Sequence, residues 1–181
     1  TAARYLLALV NDVLTLNRLS RKETASVTMP YRLSTELDEV MLLARAQAEA
    51  KGVAVKTEEM ALEYDELQGN PLYLRQICQN IIGNAIKYSF PGGEVRCRFR
   101  TAYDADGICR LTFICEDDGV GMSEEFQKRM FEAFAQENAV RDDTAGGVGL
   151  GLAVVKRIVD GHGGTIRVDS ARDAGTRFEI S

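Results

Sequence analysis

The sequence predicts an α+β fold: a two-layer α/β sandwich in which a mixed sheet is covered by helices on one face, preceded by one long amphipathic helix. Three observations lead there. Stretches with apolar residues at helical spacing are interspersed with short stretches that alternate with a period of two. Several of the alternating stretches are joined by turn residues alone, which indicates hairpins rather than a purely parallel sheet. The 181 residues suffice for one domain with its own core and an appendage, but not for two large domains.

The first stretch carries Leu6, Leu7, Leu9, Val10, Val13, Leu14 and Leu16 at helical spacings, an apolar face wide enough to need a partner helix. Ser20 to Met29 is polar and then β-prone, a linker that places the domain boundary near Lys22 and divides the chain into 1–22 and 23–181. A second amphipathic helix is expected from Ser34, as N-cap, to Lys51, with Gly52 terminating it. Val53 to Thr57 alternates as a short strand. Pro71 suits the first turn of a helix whose buried stripe is Leu74, Ile77, Cys78, Ile81, Ile82, Ala85 and Ile86, and Pro91, Gly92 and Gly93 end it. Glu94 to Tyr103 and Ile108 to Glu116 form two strands around the turn Asp104 to Gly107. Met122 to Gln136 is helical or irregular, Glu137 to Gly147 a polar loop, and Leu150 to Asp160 a helix. Thr165 to Asp169 and Thr176 to Ile180 complete the sheet through a turn at Ala174 and Gly175.

The composition, 45% hydrophobic and 27% charged, is that of a folding globular chain. A net charge of -5 argues against a nucleic-acid partner, whose phosphates require concentrated Lys and Arg. Arg96, Arg98 and Arg100 share one strand face, read as the solvated face of an edge strand. Cys78, Cys97, Cys109 and Cys115 lack the spacing of a zinc site and read as small hydrophobes. The absence of an apolar run of about 20 residues, with no signal peptide at the start, gives an expectation of a cytoplasmic setting; the full-length protein could still be membrane-anchored. A first residue other than Met, and an end inside an alternating stretch, mark the chain as a piece of something longer.

Three segments carry candidate chemistry. Asn80, Asn84 and Lys87 project from one helix face; the asparagine carbonyls are hard donors suited to Mg²⁺, and Lys87 could neutralise phosphate. A solvated surface would show the same residues. At Glu116-Asp117-Asp118-Gly119-Val120-Gly121, a strand runs into aspartates and glycines. Glu124 stands where a dinucleotide fingerprint needs its third glycine, so that reading fails. Asp117 at a strand end beside glycines could accept a hydrogen bond from adenine's exocyclic amine, where guanine offers a carbonyl; a plain surface turn is the alternative. Gly146-Gly147-Val148-Gly149-Leu150-Gly151-Leu152 opens a helix and exposes backbone N–H groups suited to an anion. It is not a Walker A loop, because no Gly-Lys-Ser/Thr follows.

In this order the three segments resemble the N, G1 and G2 boxes of sensor histidine kinases, and Phe131-Glu132-Ala133-Phe134 resembles their F box. The resemblance covers essentially the whole chain. It implies a Bergerat-type ATP-binding fold of the GHKL superfamily for 23–181, with 1–22 as the second helix of the dimerisation and phosphotransfer hairpin. It further implies that Asn84, with Asn80, binds Mg²⁺; that Lys87 and Tyr88 contact phosphates, with Asn80 and Lys87 serving transfer; and that Asp117 reads the adenine amine. Gly119 and Gly121 would let the base approach. Gly147, Gly149 and Gly151 would form the phosphate-side hinge, with Phe131, Phe134, Leu150 and Leu152 completing the nucleotide site. Gln136 to Gly146 would be the ATP lid, from which Arg141 would reach the γ-phosphate.

Related gyrase-type ATPases carry a water-activating glutamate where Asn80 stands. An amide is no general base, which favours transfer to a protein histidine over hydrolysis. The implied activity is that of a protein histidine kinase in two-component signalling, homodimeric through its N-terminal helix and serving a response regulator. The alternatives are a GHKL-type ATPase or a degenerate nucleotide-sensing module. Ala133 replaces the family's usual Pro and Asn70 its usual Asp. The acceptor histidine would lie on a first hairpin helix outside this sequence, since the only histidine, His162, sits between a helix and a strand. The piece alone is therefore expected to bind nucleotide without autophosphorylating.

Overall fold

The computed structural model describes Val10, Val13, Leu14, 28–137 and 149–181. The face expected on residues 1–22 therefore lies almost wholly outside the described residues; Val10, Val13 and Leu14 are helical and exposed. Among residues 28–137 and 149–181 the described helices are α1 (Leu33–Glu49), α2 (Pro71–Tyr88), α3 (Glu124–Gln127) and α4 (Gly151–Gly161), which accompany the described strands. These are β1 (Met29–Arg32), β2 (Ala54–Leu62), β3 (Glu66–Gly69), β4 (Glu94–Tyr103), β5 (Cys109–Asp117), β6 (Ile166–Ser170) and β7 (Thr176–Ile180).

The main sheet has the order β2-β4-β5-β7-β6. It is mixed: β2 runs parallel to β4, and every other neighbouring pair is antiparallel. Parallel neighbours need a crossover, and β3 with α2 supplies it. Alternation along the strands sorts the two faces. Val95, Cys97, Phe99, Phe113, Cys115, Phe178 and Ile180 turn inward and are buried with the apolar stripes of α1 and α2. Phe99 and Phe113, directly paired across β4 and β5, stack with ring centroids 4.9 Å apart. Three of the four cysteines are buried and all are free thiols; burial pushes the Cys78 thiol above its ordinary range.

The opposite face corrects one expectation. Arg96, Arg98 and Arg100 lie on β4, an interior strand flanked by β2 and β5, not on an edge. They form a charge ladder with neighbouring strands: Arg100 grips Glu59 at 2.8 and 2.6 Å, Arg98 bonds Glu116, and Arg177 of β7 reaches Glu116 at 3.0 Å. Cross-strand pairing of opposite charges makes a solvated face compatible with a central strand.

Other differences have local causes. Ser34 does not cap α1; Arg32 occupies the N-cap position without a side-chain bond. The cap comes from Asp65, whose carboxylate accepts from Ser34 N at 2.6 Å and Ser34 Oγ at 2.8 Å, and whose carbonyl accepts from Leu33 N at 2.7 Å. Those bonds hold the Asp65 carboxyl below its usual range. β2 runs five residues beyond the expected Thr57 because an irregularity between Thr57 and Glu59 breaks the alternation while the strand continues. β1 and β3 pair antiparallel in a separate two-stranded sheet, and neither was expected from its pattern. None of the described helices is long and apolar enough to cross a membrane.

Candidate active site

Three elements bring the candidate residues together. The first is α2, which begins with Pro71 in its first turn and Asn70 as N-cap, Asn70 Oδ1 accepting from Leu72 N at 3.0 Å. The amide thus does the capping work of the aspartate usual at that position. Burial of Leu74, Cys78, Ile81, Ile82, Ala85 and Ile86 fixes the helix's rotation and leaves Asn80, Asn84 and Lys87 half-buried beside the stripe. Asn80 is oriented: its Nδ2 donates to Gln76 O at 2.9 Å, which commits the nitrogen to the helix backbone. The Lys87 ammonium lies 4.8 Å from the centroid of the Tyr88 ring, a cation–π arrangement on a ring that is exposed.

The second element is the end of β5. Asp117 pairs in register with Val95 and with Thr176, so its backbone is fixed from both sides. Its carboxylate accepts from Gly119 N at 2.9 Å. Burial pushes the Asp117 carboxyl up to about 6, with Asp118 adding to the rise and Gly119 N, Thr176 and Arg96 opposing it. Above that pH it is an ionised acceptor in a partly dry site.

The turn after Asp117 is held by side-chain and backbone bonds: Asp118 Oδ1 accepts from Glu94 N at 3.0 Å. Val120 N donates to Tyr88 O at 3.1 Å and Gly175 N to Gly119 O at 3.1 Å. A side chain at Gly119 would collide with the Tyr88 carbonyl, and one at Gly121, with φ +63°, would collide with Ala171 O. Close packing against the end of α2 and the β6–β7 turn therefore accounts for both glycines.

The third element is the start of α4. An ideal Cβ at Gly151 would lie 2.5 Å from Asn80 Oδ1, so the first residue of α4 rests directly on the amide oxygen that α2 presents. Phe134 N donates to Gly149 O at 2.9 Å, joining the Phe131–Phe134 segment to the helix start. Phe131 packs against the core, whereas Phe134 is 64% exposed and has φ +67°, a backbone state that costs a non-glycine residue of order 1 kcal/mol. Leu150 is buried and Leu152 packs against the core beside the start of α4.

Gly147 and Arg141 lie outside the described residues, as does most of the segment expected to form a lid. Its first two residues are described and anchored. Gln136 O accepts from Arg129 at 3.1 Å, and Glu137 Oε1 accepts from Ser123 N at 3.1 Å and Arg172 at 3.3 Å. His162 is held at the end of α4, with Nδ1 2.7 Å from Ile158 O and its ring edge-on to Tyr73 at 5.7 Å. Lys51, expected only as the end of a helix, reaches the end of α2 by donating to Ile86 O at 3.0 Å and to Lys87 O. A lysine just after a helix gives no sequence signal of a partner on another helix. A cleft of about 230 Å³ between the β6–β7 turn and the arginine face is lined by Arg96, Glu116, Asp117 and Arg177 among others; Glu116 pairs there with Arg177 at 3.0 Å and with Arg96 at 4.0 Å.

Comparison with known proteins matches this arrangement to a family. Residues 69–181 fit the model of the histidine kinase-, DNA gyrase B- and HSP90-like ATPases. The chain is 34% identical to the sensor histidine kinase AruS of Pseudomonas aeruginosa over 98% of its own length and 18% of that protein's. It is 32% identical to the signal transduction histidine-protein kinase BarA of Escherichia coli, over 98% of this chain and 19% of BarA. It thus spans about one fifth of these relatives. Among solved structures, full-length ShkA in complex with AMPPNP superposes with a TM-score of 0.74 at 30% identity, over 97% of this chain and 35% of ShkA. The mycobacterial sensor histidine kinase MprB gives 0.66 at 26% identity, over 85% of this chain and 95% of that one. With the α2 asparagines beside the glycine-led α4 and the end of α2 bonded to the turn after Asp117, the chain belongs to the histidine kinase-, gyrase B- and HSP90-like ATPase family and is homologous to sensor histidine kinases over nearly its whole length.

Proposed function

We propose that this chain binds Mg·ATP and delivers the γ-phosphoryl group to a histidine of a sensor kinase in two-component signalling. Residues 1–22 are then the second helix of the dimerisation and phosphotransfer hairpin, and 23–181 the catalytic domain. The observation that carries the reading is the contact of Gly151 with Asn80 Oδ1. It sets the amide-bearing face of α2 against a glycine-led helix start, where oxygen donors and anion-binding N–H groups converge.

The donor chemistry fits the metal. Asn80 spends its amide nitrogen on Gln76 O and so presents oxygen, and Asn84 lies one turn further along the same face. Two neutral oxygen donors suit a cation that keeps several waters and also binds phosphate. Asn80 and Asn84 would hold Mg²⁺, which when bound neutralises phosphate charge. Lys87 and Tyr88 hold the phosphates from the end of α2, and Asp117 accepts the adenine amine as a carboxylate. In the transfer, an imidazole nitrogen forms a bond to the γ-phosphorus while the bond to the β–γ bridging oxygen breaks, and ADP leaves. The imidazole lone pair needs no base to attack, so Asn80 serves by position, as a neutral oxygen donor to the cation. His162, tied to Ile158 O, is not the acceptor, so the piece by itself binds nucleotide without autophosphorylating. Homodimerisation through the N-terminal helix and a response regulator as the next acceptor follow from the kinship with sensor kinases.

Titration of Asp117→Ala with ATP tests the site. Loss of a hydrogen bond to a charged group, about 1.5–3 kcal/mol, weakens ATP by roughly ten- to a hundredfold. Unchanged affinity overturns the adenine contact.

A further inference from the structure

The last four carbonyls of an α-helix have no acceptor role within it and need outside donors. In α2 these are Ala85, Ile86, Lys87 and Tyr88, and each has a partner. Ala85 O accepts from Ser89 N at 3.0 Å and Ser89 Oγ at 2.7 Å. Tyr88 O accepts from Val120 N at 3.1 Å. The two between, Ile86 O and Lys87 O, both accept from Lys51 Nζ, the former at 3.0 Å. Lys51 stands in the turn after α1, far from α2 in sequence. One side chain therefore fixes half of the α2 terminus, and that terminus carries Lys87 and Tyr88.

We infer that Lys51 is a positioning residue for the phosphate end of the nucleotide site, holding the last turn of α2 so that Lys87 and Tyr88 face the phosphates. This rests on the function proposed above. The base end is anchored differently: Asp117 is fixed by its pairing with Val95 and Thr176, and its turn by Gly175 N on Gly119 O at 3.1 Å. Loss of Lys51 loosens one end of the site and spares the other. The ammonium is also close enough to Lys87 for each charge to be felt by the other; burial, and then Lys87, hold Lys51 below the usual lysine range. Two cations at a helix C-terminus suit both the helix dipole and a polyphosphate.

The test compares ATP with adenosine, each displacing a fluorescent nucleotide from the 181-residue chain. Lys51→Met is expected to weaken ATP about tenfold, equivalent to about 1.4 kcal/mol, and adenosine by less than threefold. Lys51→Arg, which keeps the charge and donors, restores ATP to within about threefold of the parent. Circular dichroism checks folding, and Lys51→Gln takes the place of Lys51→Met should the latter not fold, with the same split expected. Unchanged ATP affinity, or equal weakening of ATP and adenosine, overturns the inference, the latter by reducing Lys51 to an ordinary helix cap. Asp117→Ala separates the two levels. If it weakens both ligands while Lys51→Met weakens neither, only the role of Lys51 is lost; if it weakens neither, the reading of the site itself falls.

Discussion

Replacing Asp117 by Asn should make the nucleotide-free chain more stable at neutral pH, because the ionised carboxylate is held where burial opposes it. Its folded pKa of about 6 stands above the ordinary carboxyl value of 3.8. A group whose pKa rises on folding contributes stability that is fully present below the unfolded value and is lost as pH rises through the folded one. The difference of about 2 units corresponds to a penalty of about 3 kcal/mol at pH 7.5, falling to about half of that at pH 5 and to about 0.5 kcal/mol at pH 4. Asparagine does not titrate, and its Oδ1 can still accept the Gly119 N–H that Asp117 accepts at 2.9 Å, so the existing bond survives the exchange. The gain is therefore about 1–3 kcal/mol at pH 7.5, a rise of about 5 °C in Tm for a chain of this size. Thermal unfolding of both proteins at pH 4, 5 and 7.5 measures it. A gain that shrinks steadily toward pH 4 is expected. Equal or lower stability of Asp117→Asn at pH 7.5, or a difference independent of pH, would refute the burial of this carboxylate as the cause.

Three further substitutions probe the joints of the fold. Gly151→Ala places a Cβ 2.5 Å from Asn80 Oδ1 and should weaken ATP binding at least tenfold while costing about 1–2 kcal/mol of stability; Gly83→Ala, also on a helix but with nothing within 4 Å of its Cβ, should stabilise α2 by about 1 kcal/mol, and the two compared by calorimetry and ATP titration separate crowding from helix propensity. Asp65→Ala removes the cap that accepts from Ser34 N and Oγ and should lower stability by about 1–2 kcal/mol in denaturant unfolding, with a smaller loss in acid, where the carboxylate of the parent is protonated.

How much of this was written in the sequence follows the range of the forces involved. Periodicity reports burial, so the stripe of α2, the two long strands β4 and β5, and β7 were legible: each buries one face along an uninterrupted repeat. β2 was cut short where the repeat slips at Glu58, and β1 and β3 were missed because four residues each are too few to show a period. The common helix face of Asn80, Asn84 and Lys87 was legible because it follows from local geometry alone. The approach of Gly151 to Asn80 and of the turn after Asp117 to the end of α2 was suggested by order along the chain and by resemblance, not by any local pattern.

The sequence by itself determined the layers, the polar face of α2, the strand-end aspartate and the glycine-led helix, because each depends on residues within a few positions of one another. Only the tertiary structure decided that Arg96, Arg98 and Arg100 line a central strand, that Asp65 caps α1, and that Lys51 closes the end of α2. Each of these depends on which distant backbone group a side chain meets. That is set by how the elements stack, and no spacing along the chain encodes it.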